Sequence, residues 1–123
     1  MKRIGIVAAC CMVFGCADSV DRAAQNAYNL TLRSPSDGSG YSIRRDASGR
    51  GATWQIRIDD TWDAYASWAR PRLGRDFDDV TATPNQALMF RKALESDSYT
   101  LEIRAPDSQQ QGYATATFTA RPY

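Results

Sequence analysis

Apolar residues fall at every second position in four separate stretches, and that period constrains the fold of this chain more than any other feature. Trp54, Ile56 and Ile58 alternate with polar neighbours, as do Leu88 and Phe90, then Tyr99, Leu101 and Ile103, then Ala114, Ala116 and Phe118. A period of two sends successive side chains to opposite faces of an extended strand, so each stretch reads as a half-buried strand. In the last stretch, 113–120, the other parity is held by Thr115, Thr117 and Thr119, a residue type suited to a pleated, solvent-facing surface. Tyr28, Leu30 and Leu32 show the same alternation, and Tyr41 with Ile43 suggests another short strand. Val80 begins an edge strand that Pro84 stops. The segments between carry turn chemistry: 34–40 is rich in Ser, Gly, Pro and Asp, 46–51 is a turn, 94–98 closes a hairpin, and 106–112 is a polar loop.

The period changes once. After Ile58, Asp60 is placed to cap a helix, with Asp63 near its unpaired N–H groups. Trp62, Tyr65, Ala66, Ala69 and Leu73 share one face at helical spacing. Pro71 should end this helix near Ala69, because proline lacks the N–H and restricts Arg70 before it. Strands at this spacing with one helix between them predict a mainly β domain, a small antiparallel β-sandwich with one short inserted helix. The alternative is an α+β arrangement, the helix packed on a single antiparallel sheet. One domain, 27–123, accommodates all of this.

The N-terminus follows a different logic. Lys2 and Arg3 precede an uncharged apolar run from Ile4 to Phe14, and Val13-Phe14-Gly15-Cys16 ends it. The run falls short of the roughly 17 residues needed to cross a bilayer and has the layout of a secretory signal. It resembles the leader and lipobox of bacterial lipoproteins. That resemblance implies removal of residues 1–15 as a signal peptide and attachment of acyl chains, palmitate among them, to Cys16. It also implies a membrane-anchored, periplasm-facing protein. Ala17 after the cysteine favours the outer membrane over the inner one in such families. Residues 16–26, polar and alanine-rich, read as the lipidated cysteine and a flexible tether that would span roughly 15–20 Å. Cys10 and Cys11 would leave with the leader, so the mature domain has neither a free thiol nor a disulfide.

Charge then limits function. Of 15 basic residues, losing Lys2 and Arg3 leaves 13 against 14 acidic ones, a net charge of −1. This near-neutral balance excludes the basic excess of a nucleic-acid binder. The chain has no histidine, which removes the commonest general base and the commonest metal ligand together. Serine chemistry has no base to draw on, Lys92 is the only mature lysine, and Glu95 with Asp97 flank a hairpin turn where their acidity should be ordinary. Asp76, Asp78 and Asp79 lack a calcium-loop pattern and read as a solvated loop. The expectation is a protein that is not an enzyme, with no cofactor and no metal.

Trp54 and Trp62 lie on apolar faces and belong to a core. Trp68 falls off the helix's apolar direction and stands beside Arg70, Arg72 and Arg75. Those four residues form the candidate partner-contact patch, since exposed tryptophan and arginine are the residues in which interface energy concentrates. Ion pairing of the arginines with Asp76, Asp78 and Asp79 is the competing reading. The function expected is a non-catalytic, protein-binding or assembly-accessory module of the cell envelope. The alternative is an inhibitor or immunity lipoprotein that neutralises a periplasmic toxin or cell-wall hydrolase. The partners expected are the membrane, through the lipid on Cys16, and an envelope or toxin protein.

Overall fold

Six strands form one antiparallel sheet: β1 (Ser42–Asp46), β2 (Gly49–Ile58), β3 (Asp78–Asp79), β4 (Ala87–Ala93), β5 (Asp97–Arg104) and β6 (Gly112–Pro122). The computed structural model describes residues 20–40, 42–46, 49–94, 97–107 and 112–122, so the leader, Cys16 and Glu95 lie outside the described residues. The strand order is β1-β2-β6-β5-β4-β3. The chain is therefore mainly β, with helix packed on sheet. Every described strand belongs to this single sheet, the second of the two arrangements that the strand spacing allows, and helices cover its apolar face in place of a second sheet.

The alternation legible in the sequence sets the faces. Trp54, Ile56, Ile58, Leu88, Phe90, Leu101, Ile103, Ala114, Ala116 and Phe118 are all buried on one side. The register aligns them across strands, with Trp54 opposite Ala116, Ala116 opposite Ile103 and Ile103 opposite Leu88. Large residues on β5 and β2 flank the small Ala114 and Ala116 on β6.

Both long borders of the sheet's inner strands are occupied. Gly38 bridges to Ile56 and the Ser39 amide donates to the Gln55 carbonyl at 3.2 Å, so the edge of β2 beyond β1 is met. On the other side the Val80 amide donates to the Met89 carbonyl at 2.9 Å, while the Thr81 hydroxyl accepts from the Met89 amide at 3.0 Å. A side chain here takes the place of a strand's backbone. The short, doubly acidic β3 is a poor template for further pairing.

A helix, α1 (residues 20–31), overturns two expectations. Residues 20–26 are helical where a flexible tether is expected, and 28–31 continue the helix where a strand is expected. Val20, Ala24, Ala27 and Thr31 make its buried stripe at helical spacing, with Ala24, Ala27 and Thr31 fully buried. Alanine has the highest helix propensity, and its small side chain lets the helix axis approach the sheet closely. The alternating Tyr28, Leu30 and Leu32 are only half-buried and pack around the margin of the core.

The second helix, α2 (Trp62–Leu73), buries Trp62, Tyr65, Ala66, Ala69 and Leu73, the face expected. Its cap is Thr61, whose hydroxyl accepts from the Ala64 amide at 3.1 Å. Asp60, expected as the cap, pairs instead with Arg33. The helix also runs four residues past Ala69, through Pro71. Pro71 sits in the last turn, where few ladder bonds remain to be lost. Fully buried Leu73 and the Gly74 amide, which donates to the Arg70 carbonyl at 2.9 Å, hold that turn closed. The Trp62 indole N–H donates to the Pro84 carbonyl at 2.7 Å and ties α2 to the segment that enters β4.

Candidate functional site

The C-terminal end of α1 is where the two helices and the sheet meet. A helix leaves its last four carbonyls without intrahelical partners. Here each one has a partner, two within the last turn and two from α2. The Tyr28 oxygen accepts from the Thr31 hydroxyl at 2.8 Å, and the Asn29 oxygen from the Leu32 amide at 3.3 Å. The Leu30 oxygen accepts from Arg72 Nε at 3.2 Å, and the Thr31 oxygen from the Tyr65 hydroxyl at 2.6 Å. The Trp54 indole N–H donates to the Thr31 hydroxyl at 3.0 Å, so β2 is joined to the same junction. Burial pushes the Tyr65 hydroxyl well above its ordinary pKa, so it remains a donor throughout the physiological range.

This junction absorbs most of the patch expected at the end of α2. Trp68 is partly buried, packed on Tyr65 with ring centroids 5.8 Å apart. Arg72 lies over the Trp68 ring at 5.2 Å while it caps Leu30, a cation–π contact and a helix C-cap made by one side chain. Arg70 pairs with Asp79 at 2.9 Å, linking α2 to β3. Arg75 is exposed beyond the helix end. Trp68, Arg70 and Arg72 thus spend their binding groups on this chain's own backbone, ring and carboxylate. Partial burial pushes the Asp79 carboxyl upward, but hydrogen bonds from Arg70 and from Thr81 outweigh that and hold it below its ordinary range.

A second cluster borders the junction. Both terminal nitrogens of Arg33 donate to Asp60, at 3.0 and 3.1 Å, in the forked geometry that guanidinium and carboxylate favour. The Arg33 guanidinium also lies 5.4 Å from the centre of the Tyr65 ring. The hydrogen bonds from Arg33 lower the Asp60 pKa, and the bond to Asp60 raises that of Arg33. Next to them a cleft of about 270 Å³ is lined by Tyr28, Asn29, Leu32, Arg33, Ser34 and Pro35. Its only charged lining group is the one already gripped by Asp60. The cleft therefore has little chemistry to offer a ligand.

A surface with features of a contact site is the sheet face turned away from the helices. Cross-strand register places Thr53, Thr117, Glu102 and Met89 in one row, and Gln55, Thr115 and Arg104 in the next. Arg57 stands opposite Tyr113, which is 55% exposed, the most exposed large apolar side chain among those described. Thr119 and Thr100 continue the hydroxyl array. Backbone pairing on both sides holds β2, β6 and β5, so these side chains project from a rigid platform. Arg57 pairs with Asp59 at 3.2 Å and Arg104 with Glu102 at 3.0 Å, both at exposed positions. Sequence reasoning identified the threonine parity of β6 as solvent-facing but did not join it to β2 and β5, because the strand order needed for that comes from pairing between distant segments.

Among the described residues no group of His, Cys, Asp and Glu is placed to hold a metal ion, and no helix is long and apolar enough to cross a membrane. The Asp76, Asp78 and Asp79 cluster is divided, with Asp78 and Asp79 in β3 and Asp79 committed to Arg70. Compared with known proteins, the chain matches no protein-family model, no curated protein and no solved structure.

Proposed function

We propose that this chain is a lipid-anchored protein of the bacterial cell envelope that binds another protein without catalysing a reaction. The anchoring half of this reading rests on the basic head, the apolar run and Gly15-Cys16 in the sequence. The binding half is supported by a single feature of the fold: among the described residues, one face of a paired sheet carries no helix and displays a hydroxyl-rich array edged by Tyr113, Arg57 and Arg104. Tyrosine and arginine at the edge of a rigid, polar surface are the side chains from which protein interfaces draw most of their affinity. The surface suits a partner that brings an apolar anchor to Tyr113 and hydrogen-bonding groups to the threonine array. The reading carries over the contact function expected for Trp68, Arg70, Arg72 and Arg75 but moves its centre to the open sheet face.

Photo-crosslinking from position 113, in cells expressing the full-length protein, tests the binding role. A discrete adduct should form with one envelope protein, and Arg57→Ala with Arg104→Ala should weaken it severalfold while Trp68→Ala leaves the adduct intact. If crosslinking from 113 yields no adduct while crosslinking from 75 does, the partner lies at the end of α2 and the sheet face is not the site. An adduct with a wall hydrolase or imported toxin would select the inhibitor or immunity role.

A further inference from the structure

The anchor and the fold are closer together than a tethered lipoprotein requires. Val20, the first described residue, is helical and 8% exposed, and Ala24 and Ala27 behind it are fully buried, so the packed domain reaches at least to residue 20. Three residues, 17–19, separate Val20 from Cys16. Even fully extended, four Cα steps cover at most about 14 Å. The headgroup layer on one side of a bilayer is itself roughly 5–8 Å deep. We infer that the folded domain rests against the lipid headgroups, held by the N-terminal end of α1, with the open sheet face kept off the membrane. The inference rests on lipidation of Cys16 as proposed above.

Layering gives the orientation. Helix α1 lies on the apolar side of the sheet, and a helix and the layer it packs on are separated by about 10 Å. The open face is a further side-chain length beyond the sheet. To turn that face onto the bilayer, the chain before Val20 would have to pass around the whole two-layer body, and 14 Å of reach does not allow it. The exposed ridge of α1, where Arg22 and Gln25 sit, is the part of the described surface nearest the anchor. Tyr113 and the threonine array are then presented sideways or outward to a partner, within a short distance of the membrane. A partner bound to that face is therefore held close to the headgroup level.

The mature chain has no thiol other than the one its lipid would occupy, so a single introduced cysteine can be labelled uniquely. Arg22→Cys and Tyr113→Cys, both at exposed positions, would carry a fluorophore in the full-length lipidated protein reconstituted into phosphatidylethanolamine–phosphatidylglycerol vesicles containing headgroup spin-labelled lipid. Quenching at position 22 should exceed that at 113 severalfold. A Gly/Ser insertion of about ten residues between Ala17 and Val20 should abolish most of the difference. Equal quenching at the two positions, or quenching at 22 that the insertion leaves unchanged, overturns the inference. Fatty-acid labelling of the same preparations separates the two readings: labelled but unquenched protein refutes the close apposition alone, whereas failure of Cys16 to label refutes the anchor and the apposition with it.

Discussion

The Tyr65 hydroxyl of α2 donates to the main-chain oxygen of Thr31, the last residue of α1, at 2.6 Å. Two helices separated along the chain by β1 and β2 are thereby joined at an otherwise unsatisfied carbonyl. Arg72, two helical turns further along α2, does the same for Leu30. The last two carbonyls of α1 are satisfied by α2 rather than by their own neighbours, which couples the seating of the two helices.

Removing that hydroxyl should be costly for so small a change. Tyr65→Phe leaves a buried carbonyl without a donor, which destabilises by about 1–3 kcal/mol. Urea unfolding followed by tryptophan fluorescence should show the shift in midpoint with an unchanged slope. A Tyr65→Phe protein as stable as the parent would show that water serves the Thr31 carbonyl equally well.

The two tryptophans of α2 should separate by burial. Trp62 is 2% exposed, stacks on Tyr65 at 5.6 Å and donates to Pro84, so Trp62→Ala should cost about 3–5 kcal/mol. Trp68 is partly buried and supports Arg72, and Trp68→Ala should cost about 1–2 kcal/mol. Equal losses would place Trp68 in the core proper.

Gly38 is a site of close approach. A Cβ there would meet the Tyr28 ring and hydroxyl and lie 2.9 Å from Leu32 Cδ1. Gly38→Ala should destabilise by about 1–3 kcal/mol, as overpacking does. Tyr28→Leu combined with it should cost less than the two single changes added, because the clash is shared. Strict additivity in thermal unfolding would locate the cost elsewhere.

Acid should weaken the fold through two carboxylates. Asp60 and Asp79 titrate lower in the folded chain than in the unfolded one, where aspartate has a pKa of about 3.9. Their contribution is complete above that value and is lost as pH falls through their lowered folded values. Asp79→Asn should flatten the decline in stability below about pH 4 and change little at pH 7, since a partly exposed ion pair contributes under about 1 kcal/mol. Chemical unfolding at several pH values checks this. An unchanged acid limb would mean that other carboxylates govern it.

What could be read from residues alone was whatever depends on local period. The β2, β4, β5 and β6 faces follow from alternation, and the buried face of α2 follows from helical spacing around Trp62 and Tyr65. Each of these signals is strong because large apolar side chains mark it. Helix α1 failed the same test because its buried stripe is Val20, Ala24, Ala27 and Thr31, two of them small and one polar, while Tyr28, Leu30 and Leu32 imitate a strand. Small side chains carry little hydrophobic contrast, and close helix-to-sheet approach becomes visible only once the sheet exists.

The contact patch divides along the same line. Sequence proximity grouped Trp68, Arg70, Arg72 and Arg75, and ion pairing of Arg70 with Asp79 was foreseeable from adjacent opposite charge. Arg72 was not, because its partner is a backbone oxygen 42 residues away. By itself the sequence determined the strand faces and the two tryptophans that would be buried, since each depends on neighbours along the chain. Tertiary structure alone decided the single-sheet order, the helix in place of a tether and the face left open. Those depend on which distant segments pair and on where the orphaned carbonyls of one helix find donors, and a linear pattern does not contain either.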